Sequence, residues 1–134
     1  RWYTGPWSSS SSRQYPRLTC SNQNDRFTVN DEITGNGNLT YPIGLVTTDE
    51  ATLAGGHNFS GNSGYYLYTG NYYWTMSPSN FNGRPSVRCV NSGGSSNDRD
   101  SVSNSRGVRP VINLKADSLK LGDGTTNNPY VVEG

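Results

Sequence analysis

Between Ser79 and Arg106 this 134-residue sequence concentrates the groups best able to grip another molecule. Arg84, Arg88, Arg99 and Arg106 carry planar guanidinium forks that suit carboxylates and aromatic rings. Asn91 and Asn97 add amides, Asp100 adds an anionic acceptor, and Ser and Gly fill most of the spacing between them. Just upstream, Tyr72 and Trp74 offer aromatic anchors. Arg and aromatic side chains set among Ser, Asn and Gly make up the usual composition of a recognition surface. These nine residues form the candidate ligand-binding set. For Tyr72 and Trp74 the competing role is core packing, because strand aromatics more often fill an interior.

Other chemistries find less material. Cys20 and Cys89 admit two readings, a disulfide closing a long loop, worth about 4 kcal/mol, or two separate thiols. Arg88 adjoins Cys89 in sequence, which is suggestive of a thiol-dependent oxidoreductase but does not make a site. The single histidine, His57, has no acid or nucleophile pattern around it. With one His and no Cys-x-x-Cys spacing, a transition-metal site is not expected. Asp98, Asp100 and Asn97 offer some oxygen ligands of the kind calcium takes, short of a full set. No catalytic residue, metal or cofactor is assigned.

The segment needs ordered flanks to hold it. Upstream, the aromatic-rich run from Tyr65 to Met76 reads as strand, with Gly70-Asn71 dividing it into a hairpin. Downstream, Val111, Ile112 and Leu114 mark an apolar strand over residues 107–114. The 28 residues from 79 to 106 show no hydrophobic period and read as an irregular display segment fixed at both ends. Earlier, Phe27 and Val29 suggest a short strand before a turn at residues 35–37, and residues 41–47 suit a core strand. Thr47 followed three residues later by Glu50 is a capping box, so a short helix starts there and stops at Gly55-Gly56. The tail carries a Gly122-Asp123-Gly124 turn and a strand at 130–132. Residues 1–19, with a run of Ser8 to Ser12, read as an irregular lead-in.

The length suits one domain. Hydrophobic residues are only 31%, yet 9 Tyr, 3 Trp and 3 Phe supply enough buried area per residue to argue for a small aromatic core rather than disorder. With 16 Gly, 7 Pro, 16 Asn and 18 Ser, loops and short strands should dominate. A formal charge of +1 gives no field to draw the chain onto nucleic acid, and no apolar run of membrane-spanning length occurs. The chain begins at Arg1 without Met or a signal pattern, and is expected to be a C-terminal fragment of a longer polypeptide.

Three pieces taken together, YPIGLVTTDEATLAGG, YLYTGNYYWTMSPSNFNG and GVRPVINL, resemble a family of uncharacterised bacterial and prophage domains related to the formylglycine-generating-enzyme type of C-type lectin-like fold. The resemblance covers roughly residues 20–132. It implies an α+β, loop-rich domain with a small antiparallel sheet and one or two short helices, extracellular, on a cell surface or virion-associated. That fold also includes the variable proteins of diversity-generating retroelements. Residues 79–106, which contain no Lys, Glu, Gln, Met or Trp, look like such a variable segment. The family's best-known enzyme works through active-site thiols, and neither Cys20 nor Cys89 sits in a matching motif. The function implied is non-enzymatic binding of a protein or glycan ligand, as an adhesin or receptor-binding module. The alternative is a structural subunit of a fibre or surface array.

Overall fold

In the computed structural model, which describes residues 16, 18–19, 27–28, 37–57, 62–96 and 98–132, the capping signal at Thr47 starts the one α-helix among the described residues. α1 spans Thr48–Leu53. The Thr47 hydroxyl accepts from the Glu50 amide at 3.1 Å, and the Glu50 carboxylate accepts from the Thr47 amide at 2.7 Å. Two of the amides that a helix start leaves unpaired are thereby satisfied. Six residues are too few to hold a helix by propensity alone, so packing must fix it. Thr48 and Ala51 are fully buried, the Thr48 amide donates to Ser77 Oγ at 2.9 Å, and the Thr48 and Thr75 hydroxyls lie 3.3 Å apart. The chain leaves through Gly55, whose φ of +103° is a conformation that a Cβ would strain.

Among the described residues nine short strands accompany the helix. β1 (Phe27–Thr28) and β2 (Gly37–Asn38) pair in parallel; β3 (Ile43–Leu45) pairs antiparallel with β7 (Pro110–Ile112). β4 (Tyr73–Phe81), β5 (Pro85–Val90) and β6 (Asp98–Ser101) form an antiparallel three-stranded sheet. After a 3-10 turn at Ala116–Ser118, β8 (Leu119–Leu121) and β9 (Val131–Val132) close an antiparallel pair. The result is a small, mostly-sheet domain with antiparallel sheets and one short helix, compatible with a loop-rich α+β class.

β4 organises the sheet. Tyr73, Thr75, Ser77 and Ser79 are buried on one side, while Trp74, Met76 and Asn80 are half-buried and Pro78 is exposed on the other, as the two-residue strand period requires. The buried side meets α1. Its apolar part is Val46, Ala51, Tyr65, Tyr73 and Val90, with Leu67, Tyr68 and Val111 packed around them. The rest is hydroxyl-lined, and those groups are bonded: Thr75 Oγ1, for instance, donates to the Arg88 carbonyl at 2.8 Å. Along its other edge β4 is paired too. Gly107 donates to the Tyr72 carbonyl at 2.9 Å, Trp74 donates to the Gly107 carbonyl at 3.0 Å, and Met76 donates to the Val46 carbonyl at 2.9 Å.

Two expectations are revised. Residues 79–106 are not an irregular display segment: they supply the end of β4, all of β5 and β6, and several buried residues, including Ser79, Cys89, Val90, Ser95 and Ser96. β6, Asp-Arg-Asp-Ser, has no apolar residue and is held by ladder bonding, while β5 alternates Val87 and Cys89 with Ser86 and Arg88 only briefly before Val90. Residues 65–76 do not form a hairpin either. Tyr68 donates to the Tyr65 carbonyl at 3.0 Å in a turn that drops the Tyr65 ring into the core, and Gly70, at φ +73°, lies in the bend before β4 begins at Tyr73. The expected strand at 41–47 is shortened to β3, and the one at 107–114 to β7. The lead-in over residues 1–15, Val29 and the first two residues of the 35–37 turn lie outside the described residues.

Candidate functional site

Residues paired across an antiparallel ladder share a face. Trp74 stands opposite Cys89, Cys89 opposite Asp98, and Val87 opposite Asp100, so these positions belong to the face of the sheet turned away from α1. Onto this face Arg106 folds back from the segment after β6. Its Nε donates to Asp100 Oδ2 at 2.7 Å and its Nη2 to the same oxygen at 2.5 Å, while its guanidinium carbon sits 4.5 Å from the centroid of the Tyr72 ring. The arginine is thus held by a charge-assisted fork and a cation–π contact at once.

Asp98 ties the other side of the group together. Its Oδ2 accepts from the Asn91 amide at 3.0 Å and from the Tyr72 hydroxyl at 3.5 Å; its Oδ1 accepts from the Arg99 backbone amide at 2.8 Å. Asn91 in turn accepts from the amides of Gly93 and Ser95 through Oδ1, both at 3.0 Å, and so fixes the β5–β6 connection. Asp100 Oδ1 accepts from Asn104 Nδ2 at 2.5 Å and from the Ser101 amide at 2.8 Å. Both carboxylates are therefore occupied within the protein.

The charges follow from this geometry. The nearby Asp98 carboxylate, with partial desolvation behind it, holds the Tyr72 phenol above its ordinary range. Partial desolvation opposes the charge on Asp100, but the bonds from Arg106, Asn104 and Ser101 outweigh it and hold its carboxyl below the usual range. Burial, and then the two aspartates, push the Cys89 thiol up to about 12.

Of the nine candidate residues, Tyr72, Asn91, Asp100 and Arg106 are brought into one network, and Trp74 is half-buried on the same face. Arg84 lies in the exposed turn between β4 and β5, beside Phe81, which is 76% exposed. Arg88 and Arg99 stand directly opposite each other on the α1 side of the sheet, so they do not join the network. Burial, and then Arg99, hold the Arg88 guanidinium below its ordinary range. Asn97 lies outside the described residues, as does Cys20; Cys89 is a free, fully buried cysteine. Sequence reasoning left Asp98 and Asn104 out of the binding set. Read as a strand, Asp98-Arg99-Asp100 would have put both acids on one face, but nothing apolar marked it as a strand. His57 acts through its backbone, accepting from the Ser96 amide at 2.8 Å. Among the described residues no three His, Cys, Asp or Glu side chains converge as for a metal ion, and no helix is long and apolar enough to cross a membrane.

Residues 22–116 match the family described as Domain of unknown function (DUF6273). The chain belongs to that family. No curated protein and no solved structure matches it. The DUF6273 match spans α1, β1 through β7 and the whole Tyr72–Arg106 network, whereas the β8–β9 pair lies beyond it.

Proposed function

We propose that this DUF6273 domain is a non-enzymatic binding module, an adhesin or receptor-binding domain of C-type lectin-like kind, that presents the Tyr72–Arg106 face and the Arg84 turn to a protein or glycan ligand. The observation that carries this reading is the state of Arg106: stacked on Tyr72 and forked onto Asp100, with its side chain still 32% exposed. An arginine pre-set in this way loses little freedom on binding, which is how a surface anchor gains affinity. Phe81 and Arg84 at the β4–β5 turn add an exposed aromatic and a second cation. The setting proposed is extracellular, on a bacterial surface or a virion, with residues 79–106 as the segment open to diversification by a retroelement.

Immobilised full-length chain, presented to a glycan array and to intact cells, tests it. Tyr72→Ala and Arg106→Ala should each weaken capture by tenfold or so, in line with hot-spot truncations, while Lys115→Ala leaves it unchanged. Capture indifferent to both substitutions would refute the assignment.

A second reading, a subunit of a fibre or surface array, is favoured by one feature: Ile112 and Leu114 at β7, and Leu121, Tyr130, Val131 and Val132 at the β8–β9 pair, are all exposed. Concentration-dependent light scattering that disappears on Leu121→Ser would support it. A thiol-dependent oxidoreductase is not carried forward, because a buried thiol with a raised pKa is a poor nucleophile at neutral pH.

A further inference from the structure

Of the two edges of the three-stranded sheet, one is closed by backbone and the other by side chains. The β4 edge is paired with Gly107 and Val46. On the β6 side no described strand adds to the sheet. A strand in that position presents alternate backbone amides to the outside, a ready template for another strand. In β6 and its continuation the inward amides belong to the even positions, as the bond from Val102 to the Pro85 carbonyl at 3.2 Å illustrates. Within β6 the outward amides are those of Arg99 and Ser101, and the turn that follows adds a third, that of Ser103.

All three are already taken. The Arg99 amide donates to Asp98 Oδ1 at 2.8 Å, the Ser101 amide to Asp100 Oδ1 at 2.8 Å, and the Ser103 amide to Ser101 Oγ at 3.4 Å. The Ser101 carbonyl, also on this side, accepts from the Asn104 amide at 3.0 Å. Each aspartate thus bends back to cap the amide that follows it. Each is pinned there from its far side, Asp98 by Asn91 and Tyr72, Asp100 by Arg106 and Asn104.

We propose that Asp98 and Asp100 are edge guards: their carboxylates occupy the outward amides of β6 and keep it from pairing with the β6 of a second copy of this chain. A second copy is the matching occupant because it carries the same strand, and two such edges related by a two-fold axis would pair antiparallel into one six-stranded sheet. Placing charged side chains on such an edge is one of the means by which sheets stay separate. This holds whether or not the face binds a ligand.

The test compares two double variants of the full chain by sedimentation velocity and native mass spectrometry. Asp98→Ala/Asp100→Ala removes both caps and should move the species from its wild-type mass to twice that mass as concentration rises. Asp98→Asn/Asp100→Asn keeps a carbonyl oxygen at each cap while removing the charge, and should stay at the wild-type mass. A folded alanine variant that stays at the wild-type mass overturns the proposal; so does an asparagine variant that doubles like the alanine one, since charge repulsion alone would then have kept the edges apart. Should the alanine variant fail to fold, amide exchange of the wild type decides: the Arg99 and Ser101 amides must be protected although no described strand covers them, and exchange at open-edge rates overturns the assignment.

Discussion

Gly107 pairs with Tyr72 along the edge of β4 opposite β5 so closely that no side chain fits between them: a Cβ on Gly107 would lie 2.9 Å from the Tyr72 carbonyl oxygen and 3.4 Å from Tyr73 Cβ. Because Arg106 precedes Gly107, this contact also sets where the guanidinium lands on the Tyr72 ring. Gly107→Ala should therefore destabilise the fold by about 1–3 kcal/mol, the usual range for forcing atoms into a filled space. It should also shift the indole and phenol signals of Trp74 and Tyr72. Urea unfolding followed by near-UV circular dichroism measures both, and an unchanged midpoint would mean that the strand can slide away without loss.

Two hydroxyls that look alike in sequence should differ in weight. Thr47 caps α1 at its half-exposed start, and Thr47→Ala should cost about 1 kcal/mol, as helix caps do. Ser77 lies buried in β4 and accepts from the Thr48 amide; Ser77→Ala leaves that amide without its acceptor inside the core and should cost about 1–3 kcal/mol. Thermal melts of the two variants rank them, with Ser77→Ala expected to melt lower.

What could be read in advance follows from which interactions are local. The capping box at Thr47 and the glycine stop at Gly55 involve neighbours in sequence, so side-chain types alone predicted α1. The Gly122–Gly124 turn was legible for the same reason; both glycines have positive φ. β6 was not legible, because it has no apolar residue and is held by ladder bonds and by partners far along the chain, such as Tyr72 with Asp98, and the alternation of Val87 and Cys89 with Ser86 and Arg88 in β5 is too short to stand out. The same cause split the candidate site. The side-chain types of Tyr72, Asn91, Asp100 and Arg106 show their chemistry, but only the register of β5 against β6 decides that Arg88 and Arg99 face the other way.

Cys89 ties stability to alkaline pH. An unfolded thiol ionises near about 8.5, whereas burial beside Asp98 and Asp100 pushes that of the folded protein up to about 12. Between these values the folded state keeps a proton that the unfolded state has released. The stability contributed is whole below about 8.5 and is lost as pH rises toward the folded value. In a Cys20→Ser background, the urea midpoint should be flat through neutral pH and fall above about 8.5. Cys89→Ala should delay the fall until the tyrosines titrate, the buried Tyr65 and Tyr73 having phenols raised chiefly by desolvation. Iodoacetamide should modify Cys89 slowly in the folded protein and rapidly in urea. A midpoint indifferent to pH up to about 10 would mean the thiol is not shielded as its burial implies.

The acid limb has the opposite sign. Asp100 is held below the ordinary carboxylate range, so the contribution of its bonds to Arg106 is whole above about 3.9 and is lost as pH falls through the folded value. With the Arg106 side chain 32% exposed and that of Asp100 17% exposed, solvent screening keeps the pair's worth to about 1 kcal/mol or less. The Asp100 side-chain carboxyl carbon should titrate below about 3.9 in the wild type and move up in Arg106→Ala. An identical titration in the two proteins would show that the fork does not persist in solution.

Arg88 and Arg99 separate binding from folding. Like charges directly opposite each other in a ladder are destabilising by about 0.2–1 kcal/mol, and Arg99, on the outer strand, is exposed while Arg88 is half-buried. Arg99→Ala should therefore leave stability unchanged or raise it by a few tenths of a kcal/mol. Arg88→Ala should lower it, because the stem of Arg88 is part of the packing, whereas Arg88→Met, keeping the volume and dropping the charge, should recover the loss. Arg84→Ala, in the open turn between β4 and β5, should fall within about 0.5 kcal/mol of the wild type. The triple replacement of Arg84, Arg88 and Arg99 would confound lost contacts with lost folding. Arg84→Ala/Arg99→Ala is the sound pair for a capture assay, and its melting temperature should match the wild type. A pair that melts well below it would mean that Arg99 offsets its own repulsion through an attraction at the sheet surface.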